Sequence, residues 1–199
     1  MKKFRSLLLL VAVALFSVVS AEAKILGLGV TGGINNTDFS IKGEKSAIEN
    51  GFGYQFGATL SVSLPFLSLS PEVLYTSTKF DITKASILGD TASVRSNAVE
   101  IPIMVGLSVL GPLKIEAGPK FTVYDSAKAS FDGGGSLDIG EVRSSAGYVV
   151  GLKLSLMGKL TFSARYNGQF DKLATDFNLD GSEYKIKCRA YTISAGYIF

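Results

Sequence analysis

The stretch Gly147 to Phe170, GYVVGLKLSLMGKLTFSARYNGQF, alternates with period two. Tyr148, Val150, Leu152, Leu154 and Leu156 occupy alternate positions, with Gly147, Gly151, Lys153 and Ser155 between them. After Met157-Gly158-Lys159 the alternation resumes with Leu160, Phe162, Ala164 and Tyr166 against Thr161, Ser163, Arg165 and Asn167. Successive side chains of a strand point to opposite faces, so this is a hairpin with one apolar and one polar face. Each arm runs about 10 residues, the length a tilted strand needs to cross a bilayer.

The same unit recurs along the chain. Residues 25–34 place Leu26, Leu28, Val30 and Ile34 opposite a glycine-rich face, and 52–64 alternate Phe52, Tyr54, Phe56, Ala58, Leu60 and Val62 with Gly, Gln, Thr and Ser. Residues 67–80 set Leu69, Pro71, Val73 and Tyr75 against Ser70, Glu72, Thr76 and Thr78, with Leu74 interrupting the polar face. The fourth strand points Val99, Ile101, Ile103, Val105, Leu107 and Val109 one way and Glu100, Pro102, Met104 and Gly106 the other. The fifth contrasts Leu113, Ile115, Ala117, Phe121 and Val123 with Lys114, Glu116, Gly118, Lys120 and Thr122. The opening hairpin supplies the sixth and seventh strands. The eighth is Tyr191, Ile193, Ala195, Tyr197 and Phe199 alternating with Ala190, Thr192, Ser194 and Gly196. Tight turns at Pro65-Phe66, Gly111-Pro112 and Met157-Gly158-Lys159 alternate with polar segments 35–50, 81–96, 126–143 and 171–187, read as loops.

Short turns thus lie at one end and long loops at the other. This predicts an all-β, eight-stranded antiparallel up-and-down transmembrane barrel with short periplasmic turns and long external loops. Pro71, Pro102 and Pro119 fall within strands and are expected to mark bulges, because proline removes a ladder donor. A water-soluble barrel would turn its apolar face inward. Three features favour the inverse: the apolar face is too bulky for a small barrel to enclose, the other face is rich in Gly, Ser and Thr, and aromatics gather toward both ends as interface girdles do. The competing reading, a secreted lipocalin-like barrel around an apolar ligand, would need charged outer faces, and these strands carry few charges.

Charge and composition narrow the reading further. Of the 199 residues, 20 are Lys or Arg and 17 Asp or Glu, giving +3. Lys2, Lys3 and Arg5 precede the apolar run Leu7 to Val19, and Ala21-Glu22-Ala23 is a small-x-small cleavage site, so residues 1–23 are expected to be a cleaved secretory signal. An uncleaved anchor helix would need a longer run, about 20 residues. Without residues 1–23 the chain holds 17 basic and 16 acidic residues, which is not the footprint of a nucleic-acid binder. One cysteine, Cys188, permits no internal disulfide, and the absence of His removes the usual general base and the commonest metal ligand. No enzyme and no cofactor is expected. If the mature chain sits in a membrane, it must do so as a closed barrel.

Several segments carry a family resemblance. GLGVTGGIN, SPEVLYTSTKF, VEIPIMV and IEAGPKF, sharpest at Pro71-Glu72-Val73-Leu74-Tyr75, Ile101-Pro102 and Gly118-Pro119, resemble the PorT-like outer-membrane β-barrel proteins of Bacteroidetes. The resemblance implies an eight-stranded outer-membrane barrel. It implies less about activity: the name-giving member serves protein secretion and gliding, and that role would carry over by analogy alone.

The inferred facing gathers Glu72, Glu100, Glu116, Lys120, Lys153 and Arg165 in the lumen, where three acids and three bases are expected to interlock as ion pairs. The leading reading is a plug that fills the barrel; a gated ion or solute path and a catalytic carboxylate pair are the alternatives. Gly27 to Gly32 matches G-x-G-x-x-G without the preceding strand and following helix of a dinucleotide site. Asp176, Asn178, Asp180 and Gly181 begin a calcium-loop pattern whose closing position is Lys187, so a solvated loop is expected. The Gly133 triplet reads as a loop tip. The run Tyr191, Ile193, Ala195, Tyr197, Phe199 looks like the terminal signal read by the barrel-assembly machinery. The expected protein is a monomer in outer-membrane lipid, with a structural or surface-interaction role through its loops. Secretion or surface partners and a narrow channel are the alternatives.

Overall fold

The computed structural model describes residues 26–41, 51–82, 92–131, 136–141, 145–170, 176–179 and 182–199. Among these residues ten strands form: β1 (Leu26–Ile41), β2 (Gly51–Ser63), β3 (Leu67–Ile82), β4 (Ala92–Leu110), β5 (Leu113–Phe131), β6 (Ser136–Glu141), β7 (Ser145–Leu156), β8 (Leu160–Gln169), β9 (Asp176–Leu179) and β10 (Ser182–Ile198). Eight of them close a barrel in the order β1-β2-β3-β4-β5-β7-β8-β10, with β10 pairing back on β1 from Gly29↔Ile198 to Ile41↔Ile186. Every pairing is antiparallel. Closure leaves the barrel wall without an unpaired edge.

The wall has the predicted inversion. Leu28, Val30, Tyr54, Phe56, Val150, Leu152, Phe162 and Ile193 are exposed on the outside, whereas Gln55, Thr59, Ser70, Glu72, Glu116, Arg165, Thr192 and Ser194 are buried inside. Leu74, Met104 and Val149 also point inward and are buried. Tyr54, Phe56 and Tyr75 pack together outside toward the loop end, as do Tyr148, Tyr166, Tyr191 and Phe170. Tyr197 and Phe199 meet edge-on near the short turns. The two groups are the aromatic girdles expected where a barrel meets the two interfaces.

Two expectations are corrected. The segments read as loops are in part strand: β1 continues to Ile41, β4 begins at Ala92, β5 runs to Phe131 and β10 begins at Ser182. The short strands β6 and β9 lengthen this outer end by pairing with β5 and β10. Beyond the bilayer both faces of a hairpin meet water, so the ladder continues without apolar alternation and period two no longer reveals it. The prolines, for their part, do not mark bulges. The β2–β3 pairing passes from Thr59↔Glu72 to Val62↔Leu69, and β3–β4 from Pro71↔Ile103 to Leu74↔Glu100, without a change of register. The missing donor is absorbed by a local gap in the ladder. The register shifts of the barrel wall fall between Val99 and Glu100 and between Ser108 and Leu110.

The turn between β7 and β8 sets the register of the opening hairpin. Met157 (φ 53°) and Gly158 (φ 71°) both adopt left-handed backbone, and Lys159 N donates to Leu156 O at 3.2 Å. Two residues with positive φ twist the same way as the strands they join. The calcium-like pattern lies partly on β9, with Asp180 and Gly181 outside the described residues, as are residues 1–25 and the Gly133 triplet.

Candidate functional site in the barrel lumen

Arg165 on β8 is the centre of the lumen. Its Nη1 and Nη2 donate to Glu72 Oε2 and Oε1 at 2.6 and 2.8 Å, a bidentate pair across the barrel, and its Nε donates to Glu116 Oε1 at 2.5 Å. The three side chains are nearly removed from solvent, at 5% exposure for Arg165 and 2% for each glutamate. A planar guanidinium offers a fork that matches one carboxylate while its Nε serves a second. Gly151 makes this reach feasible. It pairs with Glu116 on one side and with Arg165 on the other, so the two charged residues flank it in one row. A Cβ at Gly151 would stand 2.5 Å from Ala164 O and 2.9 Å from Arg165 Cγ. The same device recurs at Gly33, which pairs with both Gln55 and Ser194 while their side chains bond over it at 3.2 Å.

The second ion pair lies nearer the loops. Lys120 Nζ is 2.8 Å from Glu100 Oε1, with the two side chains 13% and 14% exposed. Between them and the rim stands Asp125, which accepts from Ser96 Oγ at 2.9 Å. Its inward facing comes from the first register shift: Val99 pairs with Tyr124 and Glu100 with Thr122, so Val123 is the extra residue and facing inverts beyond it.

The described residues enclose two cavities in the lumen. One of about 240 Å³ opens toward the loops and is lined by Asn35, Thr76, Glu100, Lys120 and Asp125 among others. One of about 470 Å³ lies at the short-turn end, lined by Ser61, Ser68, Lys114 and Lys153 among others. They share no lining residue. Along β3, Glu72 and Leu74 fall between the two lining sets; along β5 it is Glu116 and along β8 Arg165. Leu74, Met104 and Val149 are buried at the same level.

An inverted, closed, eight-stranded barrel is the form of a bacterial outer-membrane protein. The family model described as outer membrane protein beta-barrel domain matches residues 7–199. The chain belongs to that family. It resides in the bacterial outer membrane, in contact with its lipid.

Solved barrels of similar form agree in fold at low sequence identity. The attachment invasion locus protein Ail of Yersinia pestis is 14% identical with a TM-score of 0.54, covering 87% of this chain and 98% of its own. Neisserial surface protein A is 14% identical with a TM-score of 0.51, covering 86% and 95%. OprG of Pseudomonas aeruginosa is 13% identical with a TM-score of 0.50, covering 88% and 97%. No curated protein sequence matches the chain.

Of the six lumen charges read from the sequence, five are in ion pairs: Arg165 with Glu72 and Glu116, and Lys120 with Glu100. Lys153 is not. Though buried, it lies opposite Lys114 across β5 and β7, and neither lysine forms an ion pair among the described residues. The expectation of complete interlocking is therefore corrected: alternation predicts which face a lysine takes, not which row it shares. Period two missed Asp125, because only the bulge turns it inward, and undervalued Gly151, whose role is to be absent from a contact. Tyr191, Ile193, Ala195, Tyr197 and Phe199 all lie on the outer face of the last strand or just beyond it.

Proposed function

We propose that this barrel is closed to solutes and works as a structural or surface-interaction protein through its external end. One observation carries the reading. Between the two cavities stands a layer made of the Glu72–Arg165–Glu116 ion cluster together with Leu74, Met104 and Val149. Removing one partner from so buried a cluster strands a charge, so opening a path through it is costly. Ail, a barrel of similar form, is named for attachment and invasion. The protein is not an enzyme in this reading, acts without a cofactor and works as a monomer. The outward residues of the last strand, ending in Phe199, serve as the signal for the barrel-assembly machinery.

Single-channel recording of the purified protein in planar bilayers tests the closed lumen. No conductance steps above background are expected; regular steps would replace the plug with a narrow channel. A second reading, a component of a protein secretion apparatus, draws on the PorT-like segments around Pro71-Glu72-Val73-Leu74-Tyr75. Deleting each external connection and measuring cell-surface binding beside protein export separates the two. Co-purification from the native membrane identifies the partner.

A further inference from the structure

We propose that the cavity at the short-turn end is a binding site for a phosphate-type oxyanion, held by Lys114 and Lys153. Four observations converge. Lys153 is 8% exposed, faces this cavity and has no carboxylate partner among the described residues. Lys114 is directly opposite it in register and lines the same cavity, so two like charges face one another where the strands would otherwise be destabilised. Among the described residues no Asp or Glu side chain lines the cavity, and Ser61, Ser68, Ser70 and Ser155 add hydroxyl groups to its wall. Finally, charge is left over at this end. Glu72 and Glu116 are both engaged by Arg165, whereas three lysines, Lys114, Lys153 and Lys159, line this cavity.

An oxyanion between the ammonium groups would neutralise the surplus, and the serine hydroxyls can donate to its remaining oxygens. A lysine acts on phosphate as a flexible point charge, which suits a cavity of about 470 Å³ better than a tight fork would. The short-turn end faces the periplasm in barrels of this class. The phosphate can therefore be free in that compartment or belong to a lipid headgroup of the periplasmic leaflet. Lys159 also borders the cavity, with its ammonium 5.9 Å from the Tyr197 ring.

The test uses the full-length protein in neutral detergent, with lysine side chains selectively labelled for NMR. Inorganic phosphate is titrated against chloride at constant ionic strength. A parallel series places the protein in phosphatidylcholine vesicles with and without phosphatidylglycerol. Saturable shifts of the Lys114 and Lys153 signals with phosphate assign the free anion; shifts with phosphatidylglycerol alone assign the headgroup. Lys153→Gln and Lys114→Gln should each weaken binding about tenfold, the loss of one charge-assisted contact, while Lys79→Gln, exposed at the loop end of β3 and outside this cavity, leaves it unchanged. Should Lys153→Gln fail to fold, the less buried Lys114→Gln decides alone. No response beyond that to chloride in either series overturns the site, as does undiminished binding by Lys114→Gln.

Discussion

Replacing Arg165 by Met removes one guanidinium and leaves two carboxylates facing an apolar neighbour. The geometry sets the size of the effect. Three charge-assisted hydrogen bonds are lost, at 2.5, 2.6 and 2.8 Å, and both acceptors are only 2% exposed. Hydrogen bonds to charged groups contribute about 1.5–3 kcal/mol each, and stripping one partner from a buried pair costs about 3–5 kcal/mol. Because one cation here serves two anions, the upper end applies, and a loss of about 5 kcal/mol is expected. Arg165→Met combined with Glu72→Gln and Glu116→Gln should recover most of it, since neutral amides do not leave charge stranded. The chain has no Trp, so unfolding in urea is followed by far-ultraviolet circular dichroism and by the gel mobility of folded against unfolded protein in lipid vesicles. A single variant within about 1 kcal/mol of the parent, or a triple variant less stable than the single one, would refute the reasoning.

Four further outcomes follow from named positions. Gly151→Val should press on the Ala164 carbonyl, push Arg165 away from Glu116 and destabilise the barrel by about 1–3 kcal/mol, seen in the same urea titration; the share due to the ion pair should vanish when Arg165 is already Met, while the backbone share remains. Leu152→Arg, at a 49% exposed position on the outer face, should cost about 2–4 kcal/mol in vesicles if it lies near the bilayer midplane. Lys120→Gln should cost less than Arg165→Met, about 1–3 kcal/mol, because its partner Glu100 keeps some access to water in the outer cavity. Phe199→Ala should lower the fraction of protein assembled in the outer membrane of living cells while leaving refolding into detergent intact, measured by heat-modified gel mobility in both settings.

Alternation along Phe52 to Leu64 and Gly147 to Phe170 was enough, by itself, to determine strand identity, the spacing of short turns and the inversion of the wall. The reason is physical: a strand crossing lipid must show apolar groups on every second residue, and water has no such demand. For the same reason the outer reaches of β1, β4, β5 and β10 were not legible, since residues beyond the bilayer are wet on both faces. Facing fixes that Glu72, Glu116 and Arg165 share the lumen, but a pairing across it needs the shear that sets which rows come level. Only the closed barrel brings Arg165 level with Glu72 on its far wall, leaves Gly151 empty so that Glu116 can be reached, and turns Asp125 inward through one extra residue. It also sets Lys153 beside Lys114 in place of an acid, because register along β5 and β7 follows from turns and closure and not from the alternation of either strand.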